Sequence, residues 1–301
     1  MATFAAMVSR YIRYAPFYLL SLLPLRILYV FSDMAMWVMY RVLGYRRRVV
    51  YRNVRGSFPA MSALETQQTC RAFYHHFCDM WVEAVKTLTI GKKNMSSRFR
   101  ILNPELMNSY HDRGLSVILF ASHTGNWELF NSLPLTVPHR VLAFYQPLSN
   151  RYFDGLIKAI RQRFGVEAID SRHGYKTLAD YAGKGVLTCS LLLGDQSPGR
   201  TSGRQWIRFL NRETAFITGA DRIAARTGQV VLFPRITRVR RGYYELEYRV
   251  IEEDSRAADP ATILKRYAGM LEEAITASPH MWLWSHRRWK IRKEPAKQDG
   301  A

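Results

Sequence analysis

The sequence predicts an α/β protein: a mostly parallel central sheet flanked by helices, preceded by an N-terminal membrane-associated helical segment. Three observations carry this expectation. From Leu115 onward, short β-branched or aromatic runs alternate with helix-like stretches, the pattern of a parallel sheet covered on both faces. Upstream, the stretch from Tyr11 to Arg52 is strongly apolar but broken by Pro16, Pro24, Arg26 and Asp33. The chain has 301 residues and is 48% hydrophobic, enough to bury a sizeable core.

A clean spanning helix needs about 20 apolar residues in a row. A mid-bilayer arginine costs roughly 3 kcal/mol. The interruptions therefore predict a helix or kinked helical hairpin lying in, or dipping into, one leaflet. No A-x-A cleavage site comes after it, so a removed signal peptide is not expected. Instead come Arg41, Arg46, Arg47, Arg48, Arg52 and Arg55 with no acid between them, the positive-inside pattern that places the remainder of the chain on the cytoplasmic side. A buried N-terminal helix with a solvated basic edge is the alternative; the aromatic residues beside arginine favour the headgroup level. The boundary is drawn here, with residues 1–50 as the apolar anchoring segment and its basic flank, and 51–301 as the main domain.

"SALE" at Ser62–Glu65 has capping-box spacing. The run to about Leu88 reads as one helix, with Cys70, Phe73, Phe77, Trp81, Ala84 and Leu88 spaced by three and four. His75 and His76 are adjacent, point in different directions and read as packing or surface residues. "LSVILFA", "RVLAFYQ", "GVLTCSLLLG", "QVVLFPRIT" and "YYELEYRVIE" are the predicted strands. Between them, "FDGLIKAIRQRFGV" reads as a helix carrying Lys158, Arg161 and Arg163, and a last helix runs from about Pro260 to Ala277, before an aromatic and basic tail.

Lys and Arg number 44 against 24 Asp and Glu, a net charge of +20 that favours polyanionic partners. Cys70, Cys78 and Cys189 form no CxxC pair, so a reducing compartment is expected and a zinc site is not. No Walker loop, Rossmann fingerprint or metal-ligand cluster points to a nucleotide or metal cofactor.

The chemistry-bearing stretch is "SVILFASHTGNWELF". Glu128 lies five positions after His123, about 140° on one helix, so they share no helical face. They meet if the strand ends near Ala121, Gly125 permits a turn and a helix begins near Asn126. His123 then stands at a strand's carboxyl end, where open sheets carry their sites, with Glu128 expected as the carboxylate that fixes its tautomer. "LLLGDQSPGR" puts Asp195 and Gln196 on the same sheet edge. Asp195 is read as orienting Arg161 or a backbone turn, Gln196 as polar support, and Arg161 as a group for an oxyanion or a substrate phosphate. Asn126, Lys158, Arg163, Arg287 and Arg288 complete the candidate substrate contacts. The tail with Trp282, Trp284, His286 and Trp289 reads equally as an interfacial, phosphate-contacting segment or as a buried Trp cluster with a solvated basic edge.

"HTGNWE", the Arg161 helix, "GDQSPG" with "WIRFLNRETAFITGADRIAARTGQVVLFP", and "WLWSHRRWK" together resemble the late acyltransferases of lipid A biosynthesis, the lauroyl and myristoyl transferase relatives within the lysophospholipid acyltransferase group. "YRRRVVYRNVRGSFP" is similar to that family's entry segment, so the resemblance covers nearly the whole chain. It implies that 51–301 is an acyltransferase catalytic domain at the cytoplasmic face of the cell inner membrane. The implied reaction esterifies a hydroxyl of a lipid A precursor from acyl carrier protein thioester, with no other cofactor and no nucleic acid partner. His123 is implied as general base, Glu128 as its partner, and Arg161 and Asp195 as essential residues. Competing expectations are a glycerolipid or aminolipid acceptor, a metal-dependent hydrolase using His123, Glu128 and Asp195 as ligands, and a non-catalytic binder of anionic membranes or nucleic acid.

Overall fold

Pro24 divides the N-terminal segment as expected of a residue without a backbone N–H. The computed structural model describes residues 12–199 and 202–293, so the start of the apolar segment at Tyr11 lies outside the described residues. Helix α1 (Ala15–Leu22) and α2 (Leu25–Trp37, running on as a π-type turn over Val38–Val42) meet at 117°. No single described helix is long and apolar enough to cross a membrane; this bent pair meets the criterion only together. One face of α2 buries Leu28, Ser32 and Met36 at a spacing of four, while Val30, Met34 and Trp37 are exposed on others.

Helices α3 (Arg47–Ser57) and α4 (Ala63–Lys86) come next. The capping box predicted for α4 is formed: Ser62 Oγ accepts from the Glu65 N–H at 3.2 Å and the Glu65 carboxylate accepts from the Ser62 N–H at 2.7 Å. Along α4, Cys70, Phe73 and Ala84 are buried as the periodicity predicts. Trp81 is not: it is 38% exposed and lines a small cleft beside α7. Arg241 clamps α2 to α4, donating to Asp33 and Asp79 at 2.5 Å each, and Arg238 donates to Asp79 as well.

The rest of the chain alternates as predicted. It runs α5 (Lys92–Arg98), β1 (Phe99–Ile101), α6 (Pro104–Asp112), β2 (Val117–Ala121), a 3-10 segment (Trp127–Leu135), β3 (Arg140–Tyr145), α7 (Arg151–Arg161), β4 (Glu167–Asp170) and α8 (Gly174–Gly183). Then come β5 (Thr188–Leu193), β6 (Arg204–Phe209), β7 (Arg212–Ile217), α9 (Ala220–Thr227), β8 (Val230–Arg240), β9 (Tyr243–Glu252) and α10 (Pro260–Ala277). The main sheet has the order β1-β9-β8-β2-β5-β3-β4, with every neighbouring pair parallel except β8 with β9. β6 and β7 form a separate antiparallel hairpin.

β2 sits near the middle of the sheet and is buried on both faces. Its period of two sends Ile118 and Phe120 into one core layer, with α4, α10 and the tail tryptophans, and Val117, Leu119 and Ala121 into the other, with α5, α6 and the 3-10 segment. Phe120 stacks on Tyr267 of α10 at 3.7 Å between ring centroids, and the Tyr267 hydroxyl donates to the Ala121 carbonyl at 2.8 Å. This fixes the strand end from which the next loop departs.

Phe120→Ala leaves a cavity under that strand end and is expected to cost about 3–5 kcal/mol, read as a lowered denaturant midpoint.

Candidate active site

β2 stops at Ala121, and the loop Ser122–Asn126 leaves from the sheet's carboxyl edge. Gly125 has φ +63°, and a Cβ there would lie 2.5 Å from Ile236, so the turn needs glycine on both counts. The tail straps the loop from outside: Gly125 N–H donates to Met281 O, Leu283 N–H donates to His123 O, and Thr124 and Trp282 form a bridge. From below, the His76 ring meets the Gly125 carbonyl at 3.1 Å.

Asp195 comes after β5, the strand paired with β2, and its carboxylate reaches across to the loop. Its Oδ1 meets His123 Nδ1 at 2.7 Å, while Oδ2 accepts from the His123 N–H at 2.9 Å and from Trp282 Nε1 at 2.8 Å. Burial alone opposes charge on Asp195; the His123 ring and these donated hydrogen bonds outweigh it and hold the carboxyl down at about 2. An ionised acceptor at Nδ1 makes Nδ1 the protonated nitrogen and leaves Nε2 with its lone pair outward. The side chain of His123 is 17% exposed against 2% for Asp195, so the imidazole is the accessible end of the pair. Gln196 Nε2 lies 3.2 Å from His123 Nε2, where its amide donates to that lone pair, and Trp127 packs edge-on at 5.0 Å.

Glu128 is therefore not the hydrogen-bonded partner of His123 that the spacing suggested. It lies in the first turn of the 3-10 segment, is buried, and takes a two-pronged pair from Arg161: Nε to Oε2 at 3.0 Å and Nη2 to Oε1 at 2.6 Å. Burial pushes the Glu128 carboxyl up, but Arg161, with a smaller contribution from the charge of His123, brings it below the usual range. The two acids have exchanged the expected roles: Asp195 serves His123 and Glu128 serves Arg161. Arg161 remains 30% exposed at a cleft of about 120 Å³ lined by Trp81, Tyr145, Leu148, Ile157 and Lys158.

The family model described as bacterial lipid A biosynthesis acyltransferase matches residues 5–291. The chain belongs to this family. It is an acyltransferase, as the family implies. No curated protein sequence matches the chain significantly.

The other expected substrate contacts of the acyltransferase fall in different places. Lys158 lines the Arg161 cleft, paired with Asp154 at 2.8 Å and lying over the Tyr145 ring. Arg163 lies past the end of α7 and donates to the Leu88 carbonyl, away from His123. Asn126 is fully buried and donates to Glu83 Oε2 at 2.7 Å, so it shapes the loop. Arg287 is exposed, but Arg288 is 2% exposed, donates to the Ala215 carbonyl and lies over Phe216. Of the two readings of the tail, the buried Trp cluster holds: Trp282 and Trp284 are 4.7 Å apart between centroids and Trp289 donates to Thr214. His286 also faces inward, accepting from the Ser197 N–H at 3.0 Å, and burial lowers its ring to about 4.

His123, Glu128 and Asp195 do not form a ligand set, because Arg161 occupies Glu128. Among the described residues, the acids and histidine that converge closely are Asp33, His75 and Asp79, and Arg238 and Arg241 make that group an ion-pair network.

Glu83 is the residue that sequence reasoning missed. It lies on α4, three residues after Met80 and seven after His76, within the buried stripe, which was the available signal. Its carboxylate receives Asn126 Nδ2, the Tyr244 hydroxyl at 3.0 Å and the Tyr29 hydroxyl of α2 at 2.9 Å. Burial raises it to about 7, with the Asn126 hydrogen bond opposing. With the folded value above the unfolded one, this group's contribution to stability is full below about pH 4.5 and is lost as pH rises through about 7. Glu83→Gln is expected to remove on the order of 3 kcal/mol of this pH dependence. Denaturant midpoints at pH 5 and pH 8 check it: their difference shrinks in the variant relative to wild type.

Proposed function

We propose that this acyltransferase moves a fatty acyl chain from acyl carrier protein thioester to a hydroxyl of a lipid A precursor at the cytoplasmic face of the cell inner membrane. The observation that carries the reading is His123: an imidazole fixed through Nδ1 by an ionised, buried Asp195 and open at Nε2. The acceptor hydroxyl displaces Gln196 from Nε2 and gives up its proton there as its oxygen attacks the thioester carbonyl. Asp195 stabilises the imidazolium that results. Collapse of the tetrahedral oxyanion breaks the carbon–sulfur bond, and the departing thiolate takes the proton back from Nε2 as the ester forms. The acceptor itself attacks, so no serine or cysteine nucleophile is needed; the cysteines are buried, with thiols raised to about 11 or 12.

Arg161 is held rigid by Glu128 and meets an anionic group of the substrate or the developing oxyanion. The cleft beside it, with Trp81, Leu148 and Ile157, offers apolar contact for the acyl chain. The +20 charge suits both an anionic lipid and the acidic surface of acyl carrier protein. Membrane attachment through α1 and α2 is supported by the apolar residues α2 exposes on faces not packed against α4.

In an assay with acyl carrier protein thioesters and lipid A precursor, His123→Ala is expected to lower kcat by about 10²–10⁴-fold. A chelator leaves the wild-type rate unchanged. Transfer to a glycerolipid or aminolipid in preference to the lipid A precursor moves the acceptor assignment; equal activity of His123→Ala ends the base assignment.

A further inference from the structure

A large cavity lies apart from His123. It encloses about 880 Å³ between the first turns of α4 and the stretch Gly44–Tyr51, and none of its lining residues belongs to the His123, Asp195, Glu128 and Arg161 group. The α4 wall presents Ala63, Gln67, Cys70 and Tyr74, spaced by four, three and four on one helix face. Cys70 and Tyr74 make a dry floor, 4% and 0% exposed. The opposite wall is basic: Arg46, Arg47 and Arg48 line it and no acid does. Arg46 is held by the Ser285 carbonyl and Arg47 lies over the Tyr40 ring, while Arg48 is exposed and has no protein partner among the described residues. Leu64, which lines it, is 64% exposed, and Val42 and Leu43, next in sequence to the lining residue Gly44, are 62% and 70% exposed.

An apolar cavity of ligand size with cations at one side and exposed apolar residues beside it has the polarity of an anionic lipid seen end to end. We propose that this cavity holds one acyl chain of a non-reacting anionic glycerophospholipid from the bilayer, with its phosphodiester at Arg46, Arg47 and Arg48. The proposal rests on the membrane-surface reading of α1 and α2 and not on the transfer reaction. A lipid seated there fixes α3 and α4 against the bilayer, and α4 carries Glu83, which holds the catalytic loop through Asn126.

The test is native mass spectrometry of the full chain released from neutral detergent after exposure to phosphatidylglycerol or phosphatidylcholine. The expected result is one retained phosphatidylglycerol per chain, preferred at least tenfold over phosphatidylcholine. Ala63→Trp and Gln67→Trp, both at exposed positions lining the cavity, are each expected to cut retention at least tenfold with unchanged melting temperature. Arg48→Glu removes the headgroup preference. Equal retention of the two lipids, or full retention in both tryptophan variants, overturns the proposal. So does an Arg48→Glu effect on acyl carrier protein binding with lipid retention unaltered, which assigns the basic rim to the carrier. Retention needs no turnover, so His123→Ala must match wild type here; loss of lipid in that variant places it at the reacting centre and also overturns the proposal.

Discussion

A carboxylate as deeply buried as Asp195 stays ionised only if donors surround it, and the three it has come from two residues far apart in the chain, His123 and Trp282. The His123 ring and backbone belong to the loop after β2, Asp195 itself to the end of β5, and the Trp282 indole to the tail beyond α10. Satisfying one charge thus ties two neighbouring strand ends to the C-terminal strap. The same interaction settles which nitrogen of His123 carries the proton. Fold and chemistry meet at this point, because a loop shifted by an ångström loses the hydrogen bonds and the oriented imidazole together.

A second layer supports this one. Glu83 gathers Asn126 from the loop, Tyr244 from β9 and Tyr29 from α2. Arg241 pins α2 to α4 a turn away. Helix α2 is therefore linked to the His123 loop through Tyr29, Glu83 and Asn126, and a shift of α2 bears on the geometry at His123.

Elements written in local pattern were legible in the sequence. The capping box of α4, the ends of β2 and α10, the glycine turn and the break at Pro24 all rest on residues within a few positions of one another. Short strands were not: β1 has three residues and β4 reads "EAID", too brief for a period of two to register. The β6–β7 hairpin hid for another reason. Its two-residue turn places Leu210 and Asn211 at φ 48° and 63°, a left-handed pair normally marked by Asn-Gly, and leucine gives no such mark. The structure brings the candidate residues His123, Glu128, Arg161 and Asp195 together, but not in the pairing expected. Glu128 is five residues from His123 and Asp195 is seventy-two away, and only the register of β2 against β5 brings the distant acid closer to the ring than the near one.

The claim that Asp195, and not Glu128, works with His123 is tested most directly by a double-mutant cycle on kcat. With His123→Ala, Asp195→Asn and the pair combined, the geometry predicts that the double variant is no slower than His123→Ala alone, to within about threefold, because the acid acts only through the imidazole. Multiplicative losses for that pair, with the non-additive partner found to be Glu128→Gln, would contradict it.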